Sequence, residues 1–423
     1  MAISGAVIAH QRFEAVCSHG IRIANFPQRL PASISVPLLQ ISAHLEVLPV
    51  ATYAAVCLWN FKPLFPNEHV DSLENLATLT TFTGSIDESW FYLVSVAIEA
   101  RAGPAIPLML RAIEAARRND TKTVTSCLET LAETLDEIGV LLKRMHEGCD
   151  PQVFYHRIRP FLAGSKNMAE AGLPNGVIYE DKSGDGKYHQ YSGGSNAQSS
   201  ILQFFDIILG VQHRPTGEKK DGASNMESVH SHGPKHGFLL EMREYMPGPH
   251  KRFLEDMERV SNIPEYVNSH KDNVALTIAF DSCLAMLTAL RNVHLNIVTR
   301  YVIMKSRESR TRERSQSPVM RRRKLDIASA SNMKEGEKKE LKGTGGTALV
   351  SFLKQARDET TENAVNGWAK KMMTKRISKK GAVVEVEVAN DRDAEVVPEV
   401  VTGLATTWID WSVEDSAGGI CNY

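Results

Sequence analysis

An all-α fold is what this sequence predicts, on three observations. Apolar residues recur at spacings of three and four over several long stretches. The longest is VALTIAFDSCLAMLTALRNVHLNIVTRYVIM at 274–304, with neither Gly nor Pro inside it. No alternating strand pattern of useful length occurs before residue 380. Composition, 43% hydrophobic and 23% charged over 423 residues, is that of a soluble globular protein with one large or two ordinary domains.

Residues 1–35 read as a short irregular segment, because Pro27, Pro31 and Pro37 interrupt any long element. The main domain is expected over 36–366. It opens with an apolar helical stretch over 36–62, bent or divided at Pro49. A second helical stretch covers 90–120. A third runs over 123–148, with Leu128, Leu131, Leu135, Ile138 and Leu142 on one side. Residues 165–197, rich in Gly, Ser and Asn, read as a long loop with little regular structure. Helical periodicity returns at 199–212, at 238–246 and over 274–304. At 305 the composition turns to Arg and Ser, then to KEGEKKELK, so 305–340 is expected to be a mobile insert. A helix follows the GTGGT of 343–347. Residues 367–423, acidic and weakly patterned, are expected to be a partly disordered extension.

The formal net charge of −1 offers no whole-molecule case for nucleic acid or membrane partners. Six scattered cysteines without a CxxC pair suit reduced thiols, hence a cytoplasmic protein. The N-terminus has no basic residue ahead of its short apolar run, so no secretory signal is expected. Asp281, Arg291 and Arg300 interrupt the 274–304 stretch, which therefore reads as a core helix and not a membrane span.

Phe280, Leu284, Leu287, Arg291, His294, Val298 and Tyr301 share one face of that helix. A neutral imidazole in an apolar wall is either a core histidine bonded to a backbone carbonyl or an axial ligand of haem iron. Asp206, inside ILQFFDIILGV, needs a cationic partner if buried, and Arg291 is the obvious candidate. Ser95 in WFYLVSVAI reads as a hydroxyl bonded back to its own helix. Arg159 in VFYHRIRPFLAG reads as a surface or ion-pair arginine. The small residues of GGSNAQSS (193–200) suit close approach to a flat ligand or a carboxylate. GTGGT lacks the Lys-Ser/Thr of a phosphate loop, and DKSGDGK (181–187) does not fit a calcium loop. His230, His232 and His236 lack the ligand spacing of a structural metal site.

In their order, FYLVSVAIEA, DPQVFYHRIRPFLAG, LPNGVIYE, GGSNAQSSILQFFDIILGVQ, FLLEMREYMPGPHKRFL, LRNVHLNIVTRY and KGTGGTALVSFLK resemble the indoleamine 2,3-dioxygenase family over roughly residues 36–365. The resemblance implies an all-α bundle enclosing haem b, with His294 as the proximal iron ligand. Arg291 and Asp206 match a pair near the proximal side and a haem propionate. Ser95 matches the small polar residue on the distal side. Tyr53, Phe91 and Leu162 match walls of the indole pocket. Phe154 and Arg159 match the aromatic and the arginine that hold the substrate, the guanidinium pairing with its carboxylate. Gly194, Ser195 and Asn196 match the loop at the haem edge, and Thr344 the loop that closes on the amino acid.

The implied reaction opens the indole 2,3 bond of L-tryptophan with O2 to give N-formylkynurenine, a step of tryptophan catabolism towards NAD. A cytoplasmic monomer is expected. Members of the family carry a smaller helical domain of about a hundred residues ahead of the catalytic one. Here some 35 residues precede the first matched stretch and do not resemble it, so most of that domain is expected to be lacking. The arginine-rich insert and the pocket positions Val56 and Asn196 also depart from the pattern. Two rival readings stand beside the dioxygenase: an O2-binding haem protein without efficient turnover, and an RNA-binding or scaffolding role for the insert.

Overall fold

The computed structural model describes residues 28–166, 168, 173–217, 237–308, 343–344, 348–367 and 369, with the backbone of 401–402 and 407–408. The chain divides into two units, Met1–Arg376 and Ile377–Tyr423. In the second, Val401–Thr402 pairs antiparallel with Thr407–Trp408. The rest of the expected extension lies outside the described residues, as do His230, His232, His236 and most of the arginine-rich insert.

The first unit is helical, as its periodicity predicts. Two adjoining helices, Ile86–Ala102 (the Ser95 helix) and Ala105–Arg117, divide at Gly103–Pro104. Ser85 caps the first, accepting a hydrogen bond from Glu88 N at 3.2 Å. Asp120 caps the helix Thr121–Lys143, and Asn273 caps Val274–Val298, the His294 helix. The two lie along each other and form the principal helix pair of the core. Leu128, Leu131, Leu135 and Ile138 are buried on one, and Leu276, Phe280, Leu284 and Leu287 on the other. The Cys283 thiol donates to the Leu128 carbonyl at 3.0 Å.

By length and composition Ile86–Arg117 and Val274–Glu308 are each apolar enough to cross a membrane. In the His294 helix, however, the charges are satisfied inside the fold. Asp281 accepts from Val365 N and Asn366 N, both at 2.9 Å, and Arg291 pairs with Asp206. A stripe of apolar residues with internally paired charges belongs to a protein core.

Four local expectations change. The helix Ala32–His44 begins ahead of residue 36, with Pro31 as its N-cap, and Arg29–Leu30 forms a strand. Pro37 stays within that helix because it removes only one backbone bond. The 165–197 loop contains a hairpin, Val177–Glu180 with Gly186–His189, and the first of these strands pairs in parallel with Arg29–Leu30. Its turn rests on Asp181, which accepts from Ser183 N at 2.8 Å, and on Gly184 at φ +84. A second hairpin joins Phe61–Pro63 to Leu76–Thr78. Such strands are too short to register an alternating pattern. The helices Gly248–Val260 and Ile263–Ser269 also went unread, since few of their side chains are buried. Finally, the His294 helix runs on through Glu308, past the expected start of the insert.

Leu135→Ala should therefore cost about 2–5 kcal/mol, and exposed Val140→Ala less than about 0.5 kcal/mol, in urea unfolding. Equal losses at the two positions would contradict this packing.

Candidate active site

Three wide, π-type helical turns occur among the described residues: Ala54–Leu58, Phe154–Ile158 and Thr299–Met304. Such turns insert an extra residue, re-aim the side chains after it and gather at functional sites. Here they carry or adjoin Tyr53, Val56, Phe154, Arg159 and Tyr301. The Phe91 and Phe154 rings lie 4.8 Å apart, and Phe154 meets Tyr301 edge-on at 5.7 Å. One aromatic line thus joins the Ser95 helix, the segment before Arg159 and the His294 helix. Leu162 is buried close by in sequence. Arg159 is itself only 5% exposed, its guanidinium carbon 5.7 Å from the Tyr155 ring centroid, so it is no surface arginine.

Ser95 makes no bond back to its own helix. Burial pushes the Tyr53 phenol and the Cys57 thiol well up, and the Ser95 hydroxyl, bonding to both, offsets only part of that rise. One turn further on, Glu99 was not singled out by the sequence. The Tyr53 hydroxyl donates to Glu99 Oε1 at 3.0 Å, and Ser199 Oγ donates to the same oxygen at 2.6 Å. Burial raises the Glu99 pKa, and these two bonds oppose the rise. Gln198 was missed as well. It accepts from Tyr53 N at 2.8 Å and donates to the Gly193 carbonyl at 2.9 Å. The one available signal was position: Glu99 lies four residues after Ser95, on its inward face.

The two glycine-bearing loops meet. Thr344 Oγ1 donates to the Gly194 carbonyl at 2.7 Å, and Gly193 N donates to the Thr344 carbonyl at 3.2 Å. A Cβ at Gly193 would overlap the Leu162 carbonyl, so the loop after Leu162 approaches this closely only past glycine. Ser195 accepts from Ala197 N at 3.3 Å, capping the short turn that starts at Asn196.

Asp206 forms the pair that its burial required. Arg291 Nη2 donates to both carboxylate oxygens, at 2.6 and 2.8 Å. The Arg291 Nη1 donates to the Ala356 carbonyl at 3.2 Å and to Thr360 Oγ1, both on the helix Leu349–Thr360. The Asp206 pKa is lowered: burial pushes it up, and Arg291 and His213 outweigh that push. One turn beyond Arg291, His294 has no hydrogen-bond partner among the described residues, backbone carbonyls included. Burial, with the Arg291 charge, pushes its pKa down to about 4, so the imidazole is neutral at physiological pH. Yet the ring is only half-buried. The imidazole is therefore not sealed within the packed core.

The sequence profile of the family "Indoleamine 2,3-dioxygenase" matches residues 15–363. An indoleamine 2,3-dioxygenase of Aspergillus candidus is 42% identical over 340 residues, 78% of this chain and 74% of its own length. One of Saccharomyces cerevisiae is 40% identical over 345 residues, covering 79% and 73%. The chain belongs to the indoleamine 2,3-dioxygenase family. It is an oxidoreductase, an indole 2,3-dioxygenase, in a family that is generally haem-dependent. The family match begins at residue 15, well ahead of residue 36, within the segment read as unlike the family. Relatives differ in the indole they act on: a 6-hydroxytryptophan 2,3-dioxygenase of Fusarium equiseti is 35% identical over 337 residues, 79% of this chain and 75% of its own.

In this dioxygenase Asp206→Asn would leave the Arg291 guanidinium without its carboxylate in a buried place. A stability loss of about 3–5 kcal/mol is expected in urea unfolding. A loss under about 1 kcal/mol would mean that water solvates the pair.

Proposed function

We propose that this dioxygenase opens the indole 2,3 bond of L-tryptophan with O2, giving N-formylkynurenine, with haem b held by His294. The observation that carries the reading is His294 itself: a neutral, half-buried imidazole with no hydrogen-bond partner among the described residues is the donor that haem iron requires. When bound, haem supplies the activation of O2.

The chain's own residues supply the rest. Arg159, buried five residues after Phe154, would present its planar guanidinium to the substrate carboxylate. Phe91, Phe154, Tyr53 and Leu162 supply apolar walls for an indole. Ser95 offers a small hydroxyl, and Glu99 holds Tyr53 in its place. Gly194, Ser195 and Asn196, tied to Thr344, close one side against water. Arg291 and Asp206 fix the helix that presents His294, and when haem is bound they would supply charge toward one of its propionates.

Burial of Arg159 favours turnover over simple O2 carriage, because a carrier needs no carboxylate clamp. A ring-substituted tryptophan is the nearest rival substrate, given the Fusarium equiseti relative. Cys57, Cys127, Cys149 and Cys283 are free and buried, in keeping with a reducing, cytoplasmic setting.

Haem-loaded protein, reduced anaerobically and then given O2 and L-tryptophan, should release N-formylkynurenine. Arg159→Ala should lower kcat/KM by an amount worth about 2–5 kcal/mol, and less so for tryptamine, which lacks the carboxylate. Unchanged kcat/KM for L-tryptophan would reject the clamp.

A further inference from the structure

His213 follows the helix Ser200–Ile208, and both of its ring nitrogens meet carboxylates. Nε2 lies 3.0 Å from Asp206 Oδ2 and Nδ1 lies 2.7 Å from Glu359 Oε2. Asp206 and Glu359 are both buried. An ionised carboxylate only accepts hydrogen bonds, so each nitrogen must carry a proton for both contacts to form. We propose that His213 is a positioning residue: an imidazolium strut that fastens the helix Leu349–Thr360 to the Asp206–Arg291 pair.

The surrounding charges require that proton. From Ser200–Ile208 comes Asp206, from the His294 helix Arg291, and from Leu349–Thr360 Glu359. Beside them Arg214, whose backbone N donates to Glu359 at 3.1 Å, forks onto Glu362. Three carboxylates thus face two guanidinium groups among the described residues, and the imidazolium balances the set. Gln355 Nε2 donates to Glu359 Oε1 at 2.8 Å, adding a bond without a charge. Neutral His213 would keep one N–H, so one of its two contacts, to Asp206 Oδ2 or to Glu359 Oε2, would be lost.

Burial alone would lower the His213 pKa, but Asp206 and the two hydrogen bonds outweigh it and the net shift is upward. A raised histidine stabilises the fold fully below its unfolded value, about 6.5, and the contribution is lost as pH rises through the folded pKa. Asp206 and Glu359 are shifted down, so their share is lost only on acidification. The strut is therefore complete in mildly acidic solution and opens on the alkaline side. It spans from the pair beside His294 to the helix that follows Thr344. The strut does not depend on which indole is cleaved; its bearing on the iron ligand rests on the proposed function.

The test is amide hydrogen exchange between pH 6 and 9, corrected for intrinsic rates, on wild-type protein without haem and again with it. Protection over 349–360 should fall at least about tenfold, while 128–142 stays unchanged. In His213→Gln the 349–360 segment should exchange fast at every pH. In Glu359→Gln the loss should move to lower pH, because one of the two charges holding the proton is gone. Protection in wild type that is flat or rising with pH would overturn the strut, as would wild-type behaviour of His213→Gln at pH 6. The haem-free measurement stands whether or not haem binds, so failure here and failure of the proposed function are distinguishable.

Discussion

A carboxylate buried in an apolar helix is the constraint around which this structure is arranged. Asp206 lies within ILQFFDIILGV, where an unpaired charge would be untenable, and the Arg291 guanidinium answers it with two hydrogen bonds. That fork ties Ser200–Ile208 to the His294 helix. Through the Ala356 carbonyl and Thr360 it also recruits Leu349–Thr360. The same guanidinium, one turn from His294, helps keep that imidazole neutral. One pair thus organises three helices, and its guanidinium adds to the burial that keeps neutral the residue that can serve as a metal ligand.

Backbone irregularity shapes the opposite side of the site. Regular α-helices would carry Phe154 and Tyr301 past their present directions, whereas the wide turns there bring both rings into line with Phe91, and a third wide turn follows Tyr53. Glycine does the complementary work where backbones touch. At Gly193 the approach to the Leu162 carbonyl leaves no room for a side chain, and the neighbouring Gly194 carbonyl receives Thr344.

Periodicity made the long elements legible, because Thr121–Lys143 and Val274–Val298 bury one continuous face each. The Asp206–Arg291 pair was legible too, since the cost of a buried carboxylate narrows its choice of partner. Short strands were not: Val177–Glu180 owes its conformation to Arg29–Leu30, far away in the chain, and to no local pattern. Glu99, Gln198 and His213 stayed hidden for the same reason. Each is an ordinary polar residue in sequence and acquires its role only from partners such as Tyr53, Gly193 and Glu359 that folding brings to it. Ser95 was misjudged locally as self-bonded, and of the two readings of Arg159, surface or ion-paired, burial removes the first, because neither burial nor a distant phenol is visible in a single segment. The family resemblance supplied what local patterns could not, an ordered set of segments that together mark the family.

The most direct test of the central claim, that a neutral His294 holds the iron, is chemical rescue in His294→Gly. Wild-type protein reconstituted with haem should show a Soret band of a histidine-ligated haem. The variant should lose that spectrum and regain it when free imidazole is added to fill the space left by the side chain. A His294→Gly spectrum identical to wild type without imidazole would contradict the claim.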